Sequence, residues 1–459
     1  MITQSTLLDE LSKPLLIPSN GFTFPKFMEE ISYLGENGIR KKIIEFFELV
    51  DYQFRYSSGR KETYYVKDYK PRTIITMFGE ITYNRTIYTN RITGKRYTYV
   101  DERLGIGKRL RYTNDVAAYV AEAYSDENSM IKVGIEVGNL IHSKFSLKDN
   151  RIYAIPRQTI SNLMKRVKEI RICPENEKKE VDELYVLMDE KHLPDHAGKR
   201  STMVKSALIV EGLDKEDKKR HKYINPMYYT SYSSTFADDL LNFIGDRYDL
   251  DSIKHIHVLA DGANWIKTVS NDLKLSNTSH TNYLDKFHYS QAMWRITSDN
   301  DVYKIAMSYL YNNDKTSLLK LFKSIREDEK EDTNMKYIKN NWASIQNMVN
   351  LENMNCAMEQ CISHHIHSQF DNVPKVYSKD NINRYLSLRD NYRNKENIKD
   401  LFLRALDDDS DSDITIINKF TFNYEDFDKQ IPLPYHTTQI NTGKKLVSFV
   451  PHPDFKFIF

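Results

Sequence analysis

Several common features are missing from this sequence, and each absence excludes a class of protein. Three cysteines in 459 residues are too few for a disulfide framework, which indicates a reducing compartment. The opening stretch has no basic head followed by an apolar core, so it does not resemble a signal peptide, and no apolar run approaches the roughly 18 residues of a membrane span. Neither a glycine-rich phosphate loop nor a serine nucleophile elbow is present. We therefore expect a soluble, cytoplasmic protein that does not hydrolyse nucleotides and has no membrane partner.

The basic residues are unevenly distributed along the chain. The formal net charge of +2, from 66 basic and 64 acidic residues, does not by itself indicate a polyanionic partner. Between Arg55 and Arg111, however, 14 Lys/Arg stand against 5 Asp/Glu, with 8 tyrosines interleaved. Such a segment is suited to lie along a phosphate backbone and to stack on bases. The alternative, which the composition favours equally, is the solvent face of a small antiparallel sheet.

The N-terminal region combines helices with a small sheet. Apolar spacing near 3.6 predicts helices up to about residue 50. From Arg72, alternating polar and apolar residues with turns at Gly79 and Thr93–Gly94 predict a three-stranded antiparallel meander. The cations of this meander are candidates for DNA binding: Arg85, Arg91, Lys95 and Arg96.

A second candidate DNA-binding element is the predicted helix that begins after Pro156. One side of this helix is apolar, at Ile160, Leu163, Met164 and Val167. The outward-facing residues would be Arg157, Gln158, Ser161, Asn162, Lys165 and Arg166. Guanidinium and amide groups read base edges and lysines bind phosphates, as in the recognition helix of a helix-turn-helix unit. Any amphipathic helix with a basic outer side has a similar pattern.

The middle of the chain predicts an α/β fold. From Val181 three apolar strands, a helix and a fourth strand follow in the order of a ribonuclease H-like core, and the apolar strands indicate a sheet covered on both faces. A long stretch of helical pattern then intervenes before the chain reaches Glu359, which predicts an all-helical insertion. The aspartate-rich run from Asp407 to Asp413 is interpreted as a solvated loop. The expected division is 1–111 (helix and meander), 112–175 (helix-turn-helix-like), 181–280 with 352–395 (catalytic core), 281–351 (helical insertion) and 396–459 (tail).

Three acids in this region point to metal chemistry. Asp189 ends the first strand on an otherwise apolar face, Asp261 ends the fourth, and Glu359 lies on a later helix. A buried carboxylate needs a cation or a donor as partner. If the first and fourth strands are neighbours, as in ribonuclease H-like sheets, Asp189 and Asp261 come within bridging range of one cation. Oxygen ligands suit Mg²⁺ or Mn²⁺, and a pair of such ions is the usual apparatus for cutting phosphodiesters. Taken singly, each acid is better explained as a helix cap or a surface ion pair.

A zinc site at Cys356, Cys361, His364 and His365 is the competing interpretation of the helix near Glu359. The two cysteines are five residues apart, which is about 140° round a helix, so four ligands cannot converge there without breaking the helix. We favour a supporting role for His364, which would orient Glu359 or a phosphate.

Five blocks of sequence together resemble one family of mobile-element proteins. The blocks are FGEITYNRTIY from Phe78, MDEKH from Met188, ADGANWIK from Ala260, LDKFHYSQAM from Leu284 and AMEQCISHHI from Ala357. In order and spacing they resemble DDE transposases of the ISLre insertion-sequence family, which are related to Mutator-type transposases. The resemblance spans roughly residues 70 to 390, and it departs from the family pattern at Met188, where an acidic or small residue is usual.

The resemblance implies roles for individual residues. Asp189, Asp261 and Glu359 would form the catalytic, metal-binding triad. Asp285 and His288 would match the acid-x-x-His element of Mutator-like enzymes. Trp294 or Trp342 would present an aromatic ring to DNA from the helical insertion.

The function expected from these observations is a metal-dependent transposase. It would cut the ends of an insertion sequence and join the 3′-hydroxyls to target DNA, with double-stranded DNA as partner and a homo-oligomer handling two ends. It would act at the nucleoid of a bacterial cytoplasm. Two alternatives are a catalytically inactive, DNA-binding descendant of such an enzyme and a ribonuclease H-like nuclease for RNA–DNA hybrids.

Overall fold

A computed structural model of the chain divides into two compact units. It describes residues 24–127, 129–141, 154–167, 170, 177–194, 201–214, 222–275, 277–325, 332–351, 354, 361, 365–366, 370 and 378–408. The first unit comprises residues 1–119, 134–160 and 407–459, and the second comprises 120–133 and 161–406.

The first unit is a long helix packed on a small antiparallel sheet. Its elements are α1 (Phe24–Tyr56), α2 (Ser58–Thr63), β1 (Tyr64–Thr76), β2 (Gly79–Asn90), β3 (Arg96–Tyr97) and α3 (Tyr99–Arg103). The strands pair in the order β1–β2–β3, so the predicted meander is present, and it begins earlier than the alternation from Arg72 suggested. Ile74, Ile81 and Tyr83 are buried beneath apolar residues of α1, and the ring of Phe47 meets Tyr83 edge-on at 4.9 Å. The apolar side of α1 therefore forms the core of this unit.

A buried carboxylate organises the cations of the meander. Asp101 is 5% exposed; its Oδ2 accepts a hydrogen bond from Arg72 at 2.6 Å and also contacts the guanidinium of Arg85. Its Oδ1 accepts a hydrogen bond from the hydroxyl of Tyr83 at 2.6 Å. Arg85, predicted to bind DNA, instead contacts Asp101 in the structure, and burial lowers its pKa, so it is a weaker candidate than the exposed cations of the meander. Arg85 shares the inward face of β2 with Ile81 and Tyr83, a pattern that the alternation already contained.

Three helices follow the sheet: α4 (Asn114–Asp126), α5 (Met130–Ile141) and α6 (Arg157–Met164). In α6 the predicted apolar side is buried at Ile160, Leu163 and Met164. The outward residues Arg157, Gln158, Asn162 and Lys165 are exposed and Ser161 is half-buried. Arg166 differs from the prediction, because α6 ends at Met164 and the chain turns Arg166 inward, where burial lowers its pKa.

Helix α5 is crossed at very short range by the chain that leads into α6. The backbone N–H of Ile155 donates to the carbonyl of Gly134 at 2.9 Å. A Cβ at position 134 would lie 2.3 Å from the carbonyl oxygen of Ile155, which is closer than non-bonded atoms can approach. Glycine at this position is therefore a packing requirement.

We predict that Gly134→Ala destabilises the protein although alanine is the better helix former. Relief of the clash with Ile155 should cost about 1–3 kcal/mol, against a propensity gain of about 1 kcal/mol. Gly35→Ala in α1 is the matched control, because nothing lies within 4 Å of a Cβ there and the same propensity gain should appear undiminished. Urea unfolding of both variants measures the difference, and equal stabilisation of the two would contradict the packing argument.

We also predict that Asp101→Asn is strongly destabilising. It removes the charge that two largely buried guanidinium groups share, and breaking a buried ion pair from one side costs about 3 kcal/mol. Asp68→Asn is the control, since Asp68 pairs with Lys70 on the exposed part of the same sheet and its loss should change stability little. A similar unfolding midpoint for Asp101→Asn and Asp68→Asn would show that the buried cluster contributes nothing.

The second unit is built on a five-stranded mixed sheet. Its strands are β4 (Glu183–Pro194), β5 (Ser201–Val210), β8 (Met227–Ser231), β9 (His255–Ala260) and β10 (Ser279–Leu284), while β6 (Leu213–Asp214) and β7 (Lys222–Tyr223) form a separate short ladder. The spatial order is β10–β9–β4–β5–β8. Strands β5 and β8 extend the sheet antiparallel to their neighbours, whereas β4, β9 and β10 run parallel.

The two helices between these strands cover one face of the sheet. They are α7 (Phe236–Gly245) and α8 (Asn264–Asp272). Leu184, Val186 and Met188 of β4 are buried against apolar residues of both helices. Period-two alternation along β4 places these three side chains on one face of the strand, which is therefore the core face.

The sheet differs from the prediction in three places. Strand β4 does not end at Asp189 but continues to Pro194 as the partner of β5. The predicted third strand is divided into β7 and β8 around Pro226, which lacks an N–H for a ladder. Strand β10 was not predicted, because its sequence SHTNYL is polar at most positions, and the expected boundary at residue 281 falls inside it.

A bundle of five helices follows β10: α9 (Lys286–Thr297), α10 (Asn300–Tyr311), α11 (Lys315–Ile325), α12 (Thr333–Asn340) and α13 (Trp342–Val349). They share an apolar core that includes Tyr289, Met293, Leu310 and Phe322. Asn347 of α13 donates from its side-chain amide to the carbonyl of Asn282, at 2.9 Å, so the bundle is hydrogen-bonded to β10.

Two later helices complete the described chain: α14 (Lys379–Arg393) and α15 (Ile398–Asp408). Asp390 of α14 accepts a hydrogen bond from the backbone N–H of Thr230 in β8 at 2.7 Å. Helix α15 lies where the sequence predicted an irregular tail, and of the run Asp407–Asp413 only 407 and 408 are described, at the end of this helix. Among the described residues, no helix combines the length and the apolar character needed to cross a bilayer.

Candidate metal centre

Two of the three predicted acids emerge side by side from parallel strands. The pairing of β4 with β9 ends at Met188 opposite Ala260, so the next residues are Asp189 and Asp261. Oxygen atoms of Asp189, Asp261 and Glu190 all lie within 4.8 Å of one another. This spacing allows a single cation to contact several carboxylates.

Asp189 is a partly buried carboxylate with two other acids beside it. Burial, the largest cause, together with the neighbouring charges of Asp261 and Glu190, raises the pKa of Asp189 to about 6. The backbone N–H of Glu190, which donates to Asp189 Oδ1 at 2.8 Å, acts in the opposite direction. A bound cation would remove the repulsion that these neighbours create.

A tight turn orients Asp261. Gly262 has φ +84°, and a Cβ there would lie 2.8 Å from Leu284 Cδ1. The backbone N–H of Ala263, at the start of α8, donates to Asp261 Oδ1 at 2.9 Å. The glycine lets the chain reverse close to β10, and the Ala263 bond then fixes the direction of the carboxylate.

Glu190 is a member of the cluster that the sequence did not suggest. Its carboxylate accepts a hydrogen bond from the indole N–H of Trp265. Lys205 lies opposite Glu190 in the β4–β5 register, with its ammonium group 5.4 Å from the ring of Trp265. Adjacency to Asp189 was the only signal, and the period of a strand places neighbours on opposite faces, which argued against a shared site.

The Asp285 and His288 element lies at the end of the third parallel strand. Asp285 follows β10, its own N–H donates to the carbonyl of Ala260 at 2.9 Å, and its carboxylate caps α9. His288 Nε2 is 4.0 Å from Asp285 Oδ2, and the histidine lowers the pKa of Asp189. In each of β4, β9 and β10 an aspartate directly follows the last residue of the parallel pairing: Asp189, Asp261 and Asp285. Asp285, however, is not part of the 4.8 Å cluster.

Comparison with known proteins identifies the family. Residues 17–375, which include all of these acids, match UPF0236, an uncharacterised protein family. The chain belongs to UPF0236. A UPF0236 protein of Caldanaerobacter subterraneus subsp. tengcongensis is 28% identical over 387 residues, which cover 81% of this chain and 78% of the relative. A second from the same organism is 28% identical over 386 residues, covering 81% and 79%. The name of the first relative joins eleven locus labels, and that of another from the same organism joins four.

The remaining predicted residues of this UPF0236 chain fall into two groups. Glu359 and His364 lie outside the described residues. Of the two tryptophans predicted to contact DNA, Trp294 is 44% exposed on α9, whereas Trp342 is partly buried and donates a hydrogen bond from its indole to Asn313 at 3.0 Å. Trp294 is therefore the more accessible aromatic ring.

We predict that Asp189→Asn stabilises the metal-free protein at neutral pH. The folded state raises the pKa of Asp189 to about 6. Between roughly pH 4 and 6, therefore, Asp189 is protonated in the folded protein and ionised in the unfolded chain. The destabilisation by this carboxylate is present above about pH 6 and disappears as the pH falls towards 4. In EDTA the variant should gain about 2 kcal/mol at pH 7.5 and less than half of that at pH 4.5.

Chemical denaturation at the two pH values measures this gain. Asp182→Asn is the control, since Asp182 pairs with Lys254 at the surface before the same strand, and loss of an exposed pair should change stability little. A gain for Asp189→Asn that does not depend on pH would contradict the raised pKa.

Proposed function

We propose that this UPF0236 protein is a metal-dependent DNA transposase of the DDE type. It would hydrolyse the phosphodiester bonds at the ends of an insertion sequence and join the resulting 3′-hydroxyls to target DNA. The observation that carries the proposal is the placement of Asp189 and Asp261 directly after the last parallel pair of β4 and β9, with carboxylate oxygens within 4.8 Å. A ribonuclease H-like core requires its first and fourth strands to be neighbours, and the corresponding strands here, β4 and β9, lie side by side.

The donor set fits Mg²⁺ or Mn²⁺. All three clustered side chains offer carboxylate oxygens within 4.8 Å of one another, the ligand type that these hard cations prefer. Asp189 and Asp261 would hold one ion, and Glu359, carried over from the family resemblance, would hold the second. When bound, a pair of such ions polarises the scissile phosphate and stabilises the leaving oxygen.

The protein's own residues would position the substrate around this centre. The Ala263 N–H and the Gly262 turn keep the Asp261 carboxylate aimed at the cluster. His288, partly exposed beside Asp285, would donate a hydrogen bond to a non-bridging phosphate oxygen. Trp294 on α9 would stack against a base.

Exposed basic and amide side chains supply candidate contacts to double-stranded DNA. In α6 and the turn after it, Arg157, Gln158, Asn162 and Lys165 remain accessible. In the meander, Arg91, Lys95 and Arg96 surround the exposed turn between β2 and β3. These residues would bind the terminal repeats through phosphates and base edges, and a homo-oligomer would bring two ends together.

The relatives add support of a different kind. A protein whose name joins eleven locus labels in one organism is encoded repeatedly in that genome. Repetition of one gene is the expected result of an element that moves copies of itself.

We predict that Asp189→Asn and Asp261→Asn abolish DNA cleavage while leaving DNA affinity unchanged. Loss of a group that only supports a metal ligand costs 10–100-fold, so loss of a ligand should lower the rate by more than about 100-fold. The assay uses the full chain, Mn²⁺ and a duplex carrying the sequence that flanks the gene, with Asp182→Asn as the carboxylate control.

The alternative outcomes separate the candidate functions. Wild-type protein that binds this duplex tightly but neither nicks nor joins it would favour the inactive, DNA-binding alternative. Cleavage that persists in Asp189→Asn would refute the assignment of the metal centre.

A further inference from the structure

The helical bundle forms a direct hydrogen bond to the residue that carries one of the carboxylates. The hydroxyl of Tyr337, on α12, donates to the backbone carbonyl of Asp261 at 2.5 Å. This carbonyl belongs to the peptide that joins Asp261 to Gly262. The bond therefore acts on the turn that orients the Asp261 carboxylate.

A second bundle residue encloses the same turn. Asn341, which is buried after α12, donates from its side chain to the carbonyl of Tyr337 at 2.9 Å. Its Oδ1 lies 3.3 Å from the position that a Cβ would take at Gly262, while Leu284 of β10 closes the turn from another direction. The peptide after Asp261 is thus held between the sheet and the bundle.

The chemistry of Tyr337 suits a permanent donor. A phenol is protonated at neutral pH, so the Tyr337 hydroxyl is available as a hydrogen-bond donor. A hydroxyl in an apolar bundle needs an acceptor. Here the acceptor is the backbone carbonyl of a candidate metal ligand.

We propose that Tyr337 is a positioning residue of the metal centre, which holds the Asp261 turn in the geometry that binds a cation. The helical bundle would then help to form the metal centre, in addition to its proposed contact with DNA. This inference rests on the proposed function, because it assumes that Asp261 ligates the ion. The Ala263 N–H orients the side-chain carboxylate of Asp261, whereas the Tyr337 hydroxyl holds the backbone of the same residue.

The test is the affinity of the full-length protein for Mn²⁺ in the absence of DNA, measured by calorimetry or electron paramagnetic resonance. Tyr337→Phe removes only the hydroxyl and keeps the ring that packs in the bundle. We expect its Mn²⁺ affinity to fall about tenfold, the lower end of the range for groups that support a metal ligand. Tyr309→Phe is the matched control, since it deletes the same group from a partly buried tyrosine of the same bundle and should leave the affinity unchanged.

The outcomes distinguish this inference from the function on which it rests. If wild-type protein binds Mn²⁺ and Tyr337→Phe binds it equally well, Tyr337 is only structural and the inference is wrong. Equal weakening by Tyr309→Phe would also overturn it, because any loosening of the bundle would then suffice. If the wild type and Asp261→Asn are alike in binding no Mn²⁺, the metal centre itself fails, together with the inference.

Discussion

The parallel pairing of β4 with β9 is the constraint on which the candidate site depends. Two strands that are far apart in sequence are held in register until Met188 meets Ala260, and the chain then presents Asp189 and Asp261 from the same edge. The apolar side chains that anchor this register face α7 and α8, so the hydrophobic core determines where the carboxylates emerge. Like charges placed so close are unfavourable without a partner, which is why this edge is suited to bind a cation.

The features that the sequence could predict are those carried by local periodicity. The apolar run ELYVLMD predicted a strand, in which Leu184, Val186 and Met188 are buried, and the strand–helix–strand order predicted Asp261 at the end of an apolar strand. The packed side of α6 followed from its 3.6-residue spacing. In each case burial on one side of a regular element produces the pattern that is read from the sequence.

What the sequence could not predict depends on partners distant in the chain. Arg85 resembled an available cation until its burial against Asp101 became visible. Strand β10 pairs at an edge of the sheet, where polar side chains are tolerated, so SHTNYL lacks the apolar run that marked the other strands. The approach of Tyr337 to Asp261 joins elements 76 residues apart, and no local pattern encodes such a contact.

The location of a bound ion tests the central claim most directly. Crystals of the full chain soaked in Mn²⁺ and measured at the manganese absorption edge would reveal the ion by its anomalous scattering. We predict a peak between the carboxylates of Asp189 and Asp261, within coordination distance of both. Anomalous density only at other places, with these two carboxylates unbound, would contradict the account.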